Sequence, residues 1–133
     1  MAWYKCGGGG ALTETTLWSN NAPTTATGSK TVTLSESIAN YKYVKIKWRL
    51  TTTSSVNNEI LIPINQFKKS LSDAQSCIIS ISGRWELSGS YVTYMRRVYY
   101  VSNTSVTFSS GAQVGGTATN TAYIIPLSIS GVK

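Results

Sequence analysis

One ten-residue stretch, residues 41–50, constrains the fold of this chain more than any other part of its sequence. From position 43 onward, apolar and polar side chains alternate without interruption. The apolar positions are Val44, Ile46, Trp48 and Leu50, and the polar positions are Tyr43, Lys45, Lys47 and Arg49. Because a β-strand points successive side chains to opposite faces, the pattern predicts a strand with one buried face and one basic, solvated face. We expect this strand to lie centrally in an antiparallel sheet, which can keep one face in water.

The rest of the chain repeats this pattern in shorter runs that are separated by turn residues. Further strands are predicted at residues 14–18, 30–34, 59–64, 77–81, 84–87, 91–101, 106–108 and 121–129. Strong helix formers are scarce, and no stretch would hold an amphipathic helix longer than a turn or two. Eight or nine strands joined by polar turns predict one all-β domain, an antiparallel β-sandwich of jelly-roll-like type. At 133 residues such a domain can bury its own core without a disulfide or a metal.

Several residues are predicted to end or redirect these strands. Gly83 is expected to break one strand, and Ser88-Gly89-Ser90 to form a hairpin turn. Pro63 lacks an N–H donor, which suggests an edge strand. The alternation of residues 91–101 slips around Arg96-Arg97, and this slip predicts a β-bulge. In the last strand, alternate residues are expected to share one face: Tyr123, Ile125, Leu127 and Ile129.

Residues 1–13 are predicted to form an anchor segment ahead of a head domain at residues 14–133. The segment carries the aromatic pair Trp3-Tyr4, followed by four glycines, Gly7, Gly8, Gly9 and Gly10. Four consecutive glycines lose much entropy on ordering and have no side chains with which to compensate. We therefore expect Trp3 and Tyr4 to be held by another surface, either a neighbouring subunit or the chain's own head domain.

The two cysteines, Cys6 and Cys77, are too few for a disulfide framework, and both are predicted to be free thiols. Cys77 is expected to be a small core residue. The first residues lack the apolar run of a signal peptide, so the chain is expected to be made in a cytoplasm and, if it acts outside, to leave it by another route. No apolar run is long enough to span a membrane.

The net charge of +7 would suit a nucleic acid or an anionic cell-surface polymer. However, the positive charges are thinly spread, and outside residues 42–49 only Lys68-Lys69 and Arg96-Arg97 are paired. A solvated strand face kept soluble by lysines is the favoured interpretation. Specific binding of nucleic acid is therefore not expected, whereas attraction to anionic polymers stays open.

Catalytic chemistry has few candidate residues in this chain. It has no histidine, which excludes Ser-His-Asp triads, Cys-His dyads and His-ligated metals. The glycine run lacks the Lys and Ser/Thr of a phosphate-binding loop. Glu59, Asp73 and Glu86 could converge as the carboxyl pair of a glycosidase, but their spacing does not indicate it. We predict that the protein is not an enzyme and that it has no cofactor and no metal.

Binding of a ligand is better supported than catalysis. Aromatic side chains on the wet side of a sheet offer flat faces on which sugars stack. The candidates for a surface ligand-binding site are Tyr43, Lys45, Lys47, Arg49, Trp85, Tyr94 and Tyr100. The alternative is that half or more of these aromatic residues are core or subunit contacts, as we expect for Trp18 and Trp48.

Three separate parts of the chain carry a resemblance to a known class of proteins. They are residues 14–20 with Pro23 (ETTLWSN…P), residues 31–46 (TVTLSESIANYKYVKI) and residues 125–133 (IPLSISGVK). These segments resemble a module in tail fibre and minor structural proteins of tailed bacteriophages and prophages. The resemblance implies an antiparallel β-sandwich that assembles as an oligomer, usually a trimer, and that decorates a phage tail or head. Such modules often contact the host surface.

The resemblance covers chiefly the first strands and the last, and it carries over no catalytic residue. In fibre proteins the module usually follows a long shaft, whereas here only about a dozen residues precede it. We therefore expect a virion structural protein: a tail fibre tip, an adaptor, or a head fibre or decoration, with residues 1–10 as its docking peptide. Its expected partners are other virion proteins, further copies of itself and bacterial surface glycans. The alternative function is a stand-alone, lectin-like carbohydrate-binding module.

Overall fold

A computed structural model describes residues 12–73 and 78–133, and almost all of its regular structure is β-strand. The strands are β1 (Glu14–Ser19), β2 (Lys30–Thr33), β3 (Tyr43–Thr51), β4 (Asn57–Pro63), β5 (Ile79–Leu87), β6 (Ser90–Ser102), β7 (Ser105–Phe108), β8 (Ala112–Gln113) and β9 (Tyr123–Val132). A 3-10 turn at Ile38–Asn40 and a one-turn helix, α1 (Ile64–Phe67), complete the described elements. None of the described helices has the length and apolar character needed to cross a membrane.

The strands form two antiparallel sheets that pack face to face, which confirms the predicted all-β sandwich. The first sheet has the order β1-β9-β3-β4, and the second has the order β2-β7-β6-β5, with β8 paired to β6. In sequence, the paired strands β2 and β7 lie between the paired strands β1 and β9, which is the nested pairing of a jelly roll. Strand β3 pairs with β4, and β6 pairs with β5 and β7, so these pairs are between strands that follow each other in sequence. Pro63 does lie on an edge strand, because β4 pairs only with β3.

Strand β3 lies in the middle of the first sheet, as its alternation predicts. Val44 and Ile46 are fully buried between the sheets, while the lysines at positions 45 and 47 lie on the outer face. The buried Trp48 donates from its indole Nε1 to the carbonyl of Ser82 on β5, at 2.9 Å. This bond joins the middle of the first sheet to the edge of the second.

Gly83 does not end a strand, contrary to the sequence prediction. Strand β5 continues through it, and its pairing with β6 shows no shift. A Cβ atom at Gly83 would collide with the side chain of Leu50 from the opposite sheet. The glycine therefore marks a close approach of the two sheets, which an isolated sequence cannot distinguish from a strand end.

The predicted hairpin turn is present between β5 and β6. Leu87 pairs with Ser90, and the two residues between them, Ser88 and Gly89, have φ values of 52° and 83°. Two successive positive φ angles are typical of the type I′ turn, whose twist matches that of the flanking strands.

The predicted bulge at Arg96-Arg97 is wrong. Strand β6 pairs with β5 in continuous register from Ser90 to Val98, and the shift in β6 lies further on, between Tyr100 and Ser102 against β7. The apolar alternation is interrupted in the sequence because a charged residue occupies an inward-facing position, whereas the strand itself has no slip. Arg96 is fully buried.

Among the described residues, all the acceptors of the Arg96 guanidinium are backbone carbonyls. The acceptors are Gly28 (2.9 Å) and Ser109 (3.1 Å) for Nη1, Thr27 (2.8 Å), Thr121 (3.2 Å) and Tyr123 (3.0 Å) for Nη2, and Tyr123 (3.2 Å) for Nε. Burial lowers the pKa of Arg96 to about 10, so the side chain stays charged at neutral pH. One buried cation thus joins the segment before β2, the segment after β7 and the start of β9.

The last strand also differs from its predicted pattern. Strand β9 runs from Tyr123 to Val132, and Lys47 faces Ser128 while Trp48 faces Pro126, so one residue of β9 bulges between them. This bulge places Ile129 in the core between the sheets and turns Ile125 to the face of Arg49. The predicted alignment of these isoleucines on one face is therefore wrong.

Most of the predicted anchor lies outside the described residues, and so do Cys6 and Cys77. Thr13 is described, and its carbonyl accepts the N–H of Lys133 at 3.0 Å. The pairing of the first and last strands therefore extends beyond Glu14.

We expect Gly131→Ala to lower the free energy of unfolding by about 2 kcal/mol, because a Cβ atom there would overlap the buried ring of Tyr41. Urea denaturation followed by circular dichroism measures the change. Gly28→Ala is the matched control, since a Cβ at Gly28 would meet nothing within 4 Å. Equal midpoints for the two variants would contradict the close packing of Tyr41 on Gly131.

We expect Arg96→Met to cost about 3 kcal/mol or more, because several buried carbonyls lose their donor at once. Arg84→Met on the exposed face of β5 should change stability by no more than about 0.5 kcal/mol. Thermal and urea unfolding of both variants test this. If Arg96→Met were as stable as the unmodified protein, the hydrogen bonds from Arg96 to the backbone carbonyls would not be stabilising.

Candidate functional site

Four of the predicted ligand-binding side chains lie together on the outer face of the first sheet, along β3. They are Tyr43, Lys45, Lys47 and Arg49, all partly buried. Lys45 is held between two carboxylates, with Nζ at 3.0 Å from Glu14 Oε1 and at 3.3 Å from Glu59 Oε2. Arg49 donates to the carbonyls of Pro23 and Ser54. Of the three cations, only Lys47 has no such partner among the described residues.

The Lys45 ion pairs shape both the charge and the surface of this face. The hydrogen bond from Lys45 holds the pKa of Glu14 below its ordinary value, and the hydrogen bonds to Glu14 and Glu59 raise the pKa of Lys45. Beside them lies a small cavity of about 180 Å³. Its lining consists of Leu12, Glu14, Lys45, Glu59, Leu61 and Val132. Acidic partners thus balance much of the positive charge that the sequence pattern suggested.

Trp85 and Tyr94 are not surface ligand-binding residues, contrary to the prediction. Tyr94 is only 7% exposed, and Trp85 is half-buried against the core. Their rings stack at 5.7 Å, and the ring of Tyr123 meets both edge-on, at 4.9 Å from Trp85 and 4.6 Å from Tyr94. Such a cluster supplies apolar burial inside the sandwich. The alternative interpretation as core contacts is the correct one for these two residues.

Tyr100 also packs partly against the core, but it lines an open concavity of about 490 Å³ as well, which we call the tyrosine groove. The groove is lined by Leu71, Ser72, Asp73, Tyr99, Tyr100, Val101 and Thr107. Its volume lies in the range of small-ligand sites, roughly 300–1,000 Å³. Aromatic, hydroxyl and carboxylate groups therefore line one concavity beside the end of β6.

Ser70 fastens the segment after α1 along β6 and so forms one wall of the groove. Its carbonyl accepts the N–H of Tyr100 at 2.7 Å, and its Oγ donates to the carbonyl of Val98 at 2.7 Å. The same Oγ accepts the N–H of Ile79 at 3.1 Å. Because Ser70 is buried and bonded in three directions, residues 71–73 are held beside Tyr100.

Side chains that do not line the groove hold both tyrosines in place. The Tyr100 hydroxyl donates to Asn103 Oδ1 at 2.7 Å, and the Tyr100 ring meets Phe67 edge-on at 6.2 Å. The Arg97 guanidinium lies over the ring of Tyr99, at 4.6 Å from its centroid. Rings fixed in this way lose little freedom when a ligand stacks on them.

Sequence reasoning missed Tyr99 and considered Asp73 only as a catalytic acid. Strand β6 alternates without a slip through Arg96 and therefore turns Tyr99 outward. The bulge wrongly predicted at Arg96-Arg97 hid this outward orientation of Tyr99 in the sequence. The acids considered as a catalytic pair do not share a site, since Glu59 and Asp73 line different cavities. Among the described residues, no group of three or more cysteine, aspartate or glutamate side chains could hold a metal ion.

The predicted docking residues, Trp3, Tyr4 and the glycines at positions 7–10, lie outside the described residues. Comparisons with protein-family models and with curated proteins found no match to this chain. The contacts, charges and cavities described above therefore carry the functional interpretation.

We expect Glu14→Gln to reduce the loss of thermal stability on acidification. The folded pKa of Glu14 is held below 4.5, so its contribution is present above that pH and is lost as the pH falls through the lowered pKa. Melting temperatures measured from pH 6 down to about pH 2 test this. Glu86→Gln, which removes an exposed carboxylate with no ion pair in the described part of the chain, should keep the original slope. Identical acid slopes for Glu14→Gln and the unmodified protein would contradict the pairing with Lys45.

Proposed function

We propose that this chain is a structural and adhesive protein of a bacteriophage virion. In this proposal the sandwich is the displayed head of a tail fibre tip, an adaptor, or a head fibre or decoration, and residues 1–10 dock it onto the particle. The observation that carries the adhesive role is the tyrosine groove. The virion role rests on the resemblance of three sequence segments to phage tail fibre and minor structural proteins.

The positions of the three resembling segments in the fold support this reading of them. They lie far apart in the sequence, yet they supply β1, β9 and the start of β3, which are adjacent strands of the first sheet, while residues 31–33 belong to β2 of the second sheet. Tyr41, in one segment, packs on Gly131 of another and donates to Glu36 Oε1 at 2.6 Å. Parts of all three segments thus pack together in the first sheet, as expected if a common fold underlies the similarity.

The chemistry of the groove supports recognition in preference to bond cleavage. Glycosidases require two carboxyl groups within roughly 5–10 Å of each other across the scissile bond. Of the acidic residues in the described ranges, Asp73 alone lines the tyrosine groove. Two tyrosine rings with neighbouring hydroxyl groups suit stacking and hydrogen bonding of a surface sugar.

The proposal includes assembly of the chain with copies of itself, with a trimer favoured by the resemblance. Leu12 and Leu61 are exposed apolar side chains that border the small cavity beside Lys45. An apolar border around a paired charge suits contact with another subunit or with a second virion protein.

Deletion of residues 1–10 tests the docking role. We expect the truncated head to stay folded and soluble, because the described residues already pair into two antiparallel sheets around a shared core, yet to be lost from purified particles. The circular dichroism spectrum and quantitative mass spectrometry of particles measure the two effects, with the full chain as the control. Incorporation of the truncated head at normal levels would overturn the docking role.

A stand-alone carbohydrate-binding module is the second candidate, because the same groove would serve it. The two functions differ in where the protein is found. Absence of the full chain from purified virions, together with saccharide binding by the free protein, would favour this candidate over the virion role.

A further inference from the structure

We infer that the tyrosine groove binds a saccharide unit without negative charge and discriminates against anionic glycans, although the chain carries a net charge of +7. This inference rests on the proposed adhesive function, because it assigns the ligand class of the same groove. The net charge alone would instead suggest attraction to anionic cell-surface polymers.

The apolar part of the recognition comes chiefly from Tyr99, which faces away from the core, while Tyr100 packs partly against the core and lines the groove beside it. A pyranose ring presents a face of C–H groups that packs against an aromatic ring. Asn103, Phe67 and Arg97 hold these two tyrosines from outside the groove lining. Leu71 and Val101, both exposed, extend the apolar surface at the groove.

The polar part of the recognition comes from Asp73 and two hydroxyl groups. The Asp73 carboxylate forms no salt bridge with any described residue, so its oxygens are available to accept hydroxyl hydrogen bonds from a sugar. Ser72 and Thr107 add groups that both donate and accept. The Thr107 hydroxyl is itself held at 2.7 Å from the hydroxyl of Thr31, which fixes its position.

The sign of the charge in the groove decides the ligand class. No basic side chain is among the lining residues, and Asp73 is the charged one. The nearby cations Lys68 and Arg97 lie over the rings of Tyr100 and Tyr99, at 6.0 Å and 4.6 Å from the ring centroids. Arg97 Nε and Nη2 have no hydrogen-bond partner among the described residues, but both atoms are buried and so do not reach a ligand in the groove. A phosphate or uronate in the groove would therefore face a carboxylate without a cationic partner in the lining. A neutral or amino-bearing sugar meets no such repulsion.

The test is direct binding of the full chain to oligosaccharides offered in matched neutral and anionic forms, the anionic ones carrying a uronate or a phosphate. Isothermal titration measures each affinity. We expect the neutral form to bind at least about tenfold more tightly than its anionic counterpart, since one unfavourable charge contact is worth that much. Tyr99→Ala should weaken binding of the neutral form by about tenfold or more, because a stacking face is lost.

Asp73→Asn probes the charge itself. The variant keeps the shape of the side chain, loses charge-assisted hydrogen bonds and removes the repulsion of anions. We expect about tenfold weaker binding of the neutral sugar and a smaller preference over the anionic one. Matched controls are Tyr91→Ala, at a 72% exposed tyrosine of the same strand that does not line the groove, and Glu86→Gln on the neighbouring strand. Urea midpoints of all variants show that each one is folded.

The inference and the function on which it rests fail in different ways. Binding only of anionic forms, no binding to any member of the panel, or neutral-sugar affinities unchanged by Tyr99→Ala and Asp73→Asn would each overturn the inference. If those variants still entered particles and attached to susceptible bacteria, the virion and adhesive role would stand without this ligand. If the unmodified chain were absent from virions and did not attach to bacteria, the proposed function itself would fail.

Discussion

The buried guanidinium of Arg96 is the interaction on which the arrangement of the sandwich most depends. Each peptide carbonyl that turns into the space between two sheets needs a donor, and here one side chain supplies several of them. Carbonyl groups from three places accept hydrogen bonds from it: the segment before β2, the segment after β7 and the start of β9. Burying a cation without an acidic partner is costly, and the cost is offset only because every donor is directed at an oxygen.

The same residue connects the interior with the candidate site, because it fixes which side chains of β6 point outward. With Arg96 inside, Tyr94 is also inside and belongs to the aromatic cluster, while Tyr99 faces away from the core. The groove then forms where the segment held by Ser70 meets the end of β6. A rigid two-sheet scaffold with a binding surface on a connecting segment is a common division of roles in β-sandwich proteins.

The sequence predicted those parts of the fold that depend on local pattern. Each of these parts is indicated by residues within a few positions of it. The alternation around Trp48 indicates the central strand, the lack of a donor at Pro63 indicates the edge strand, and the small residues Ser88-Gly89 indicate the hairpin turn. Arg96 could not be recognised, since its acceptors lie 13 to 69 residues away along the chain. The groove was missed for the same reason, because the Ser70 contact to Val98 spans 28 residues. Aromatic residues such as Tyr94 give the same pattern in a core as on a surface.

The bond from Trp48 to Ser82 has a consequence for how copies of this sandwich can associate. Leu87 and Ser90 flank a two-residue hairpin and bond to each other, so the even-numbered residues of β5 direct their backbone groups toward the unpaired margin of the sheet. The indole already occupies the Ser82 carbonyl in the middle of that margin. Another chain that added a strand at β5 would have to displace this bond, so the tryptophan disfavours edge-to-edge pairing of neighbouring copies.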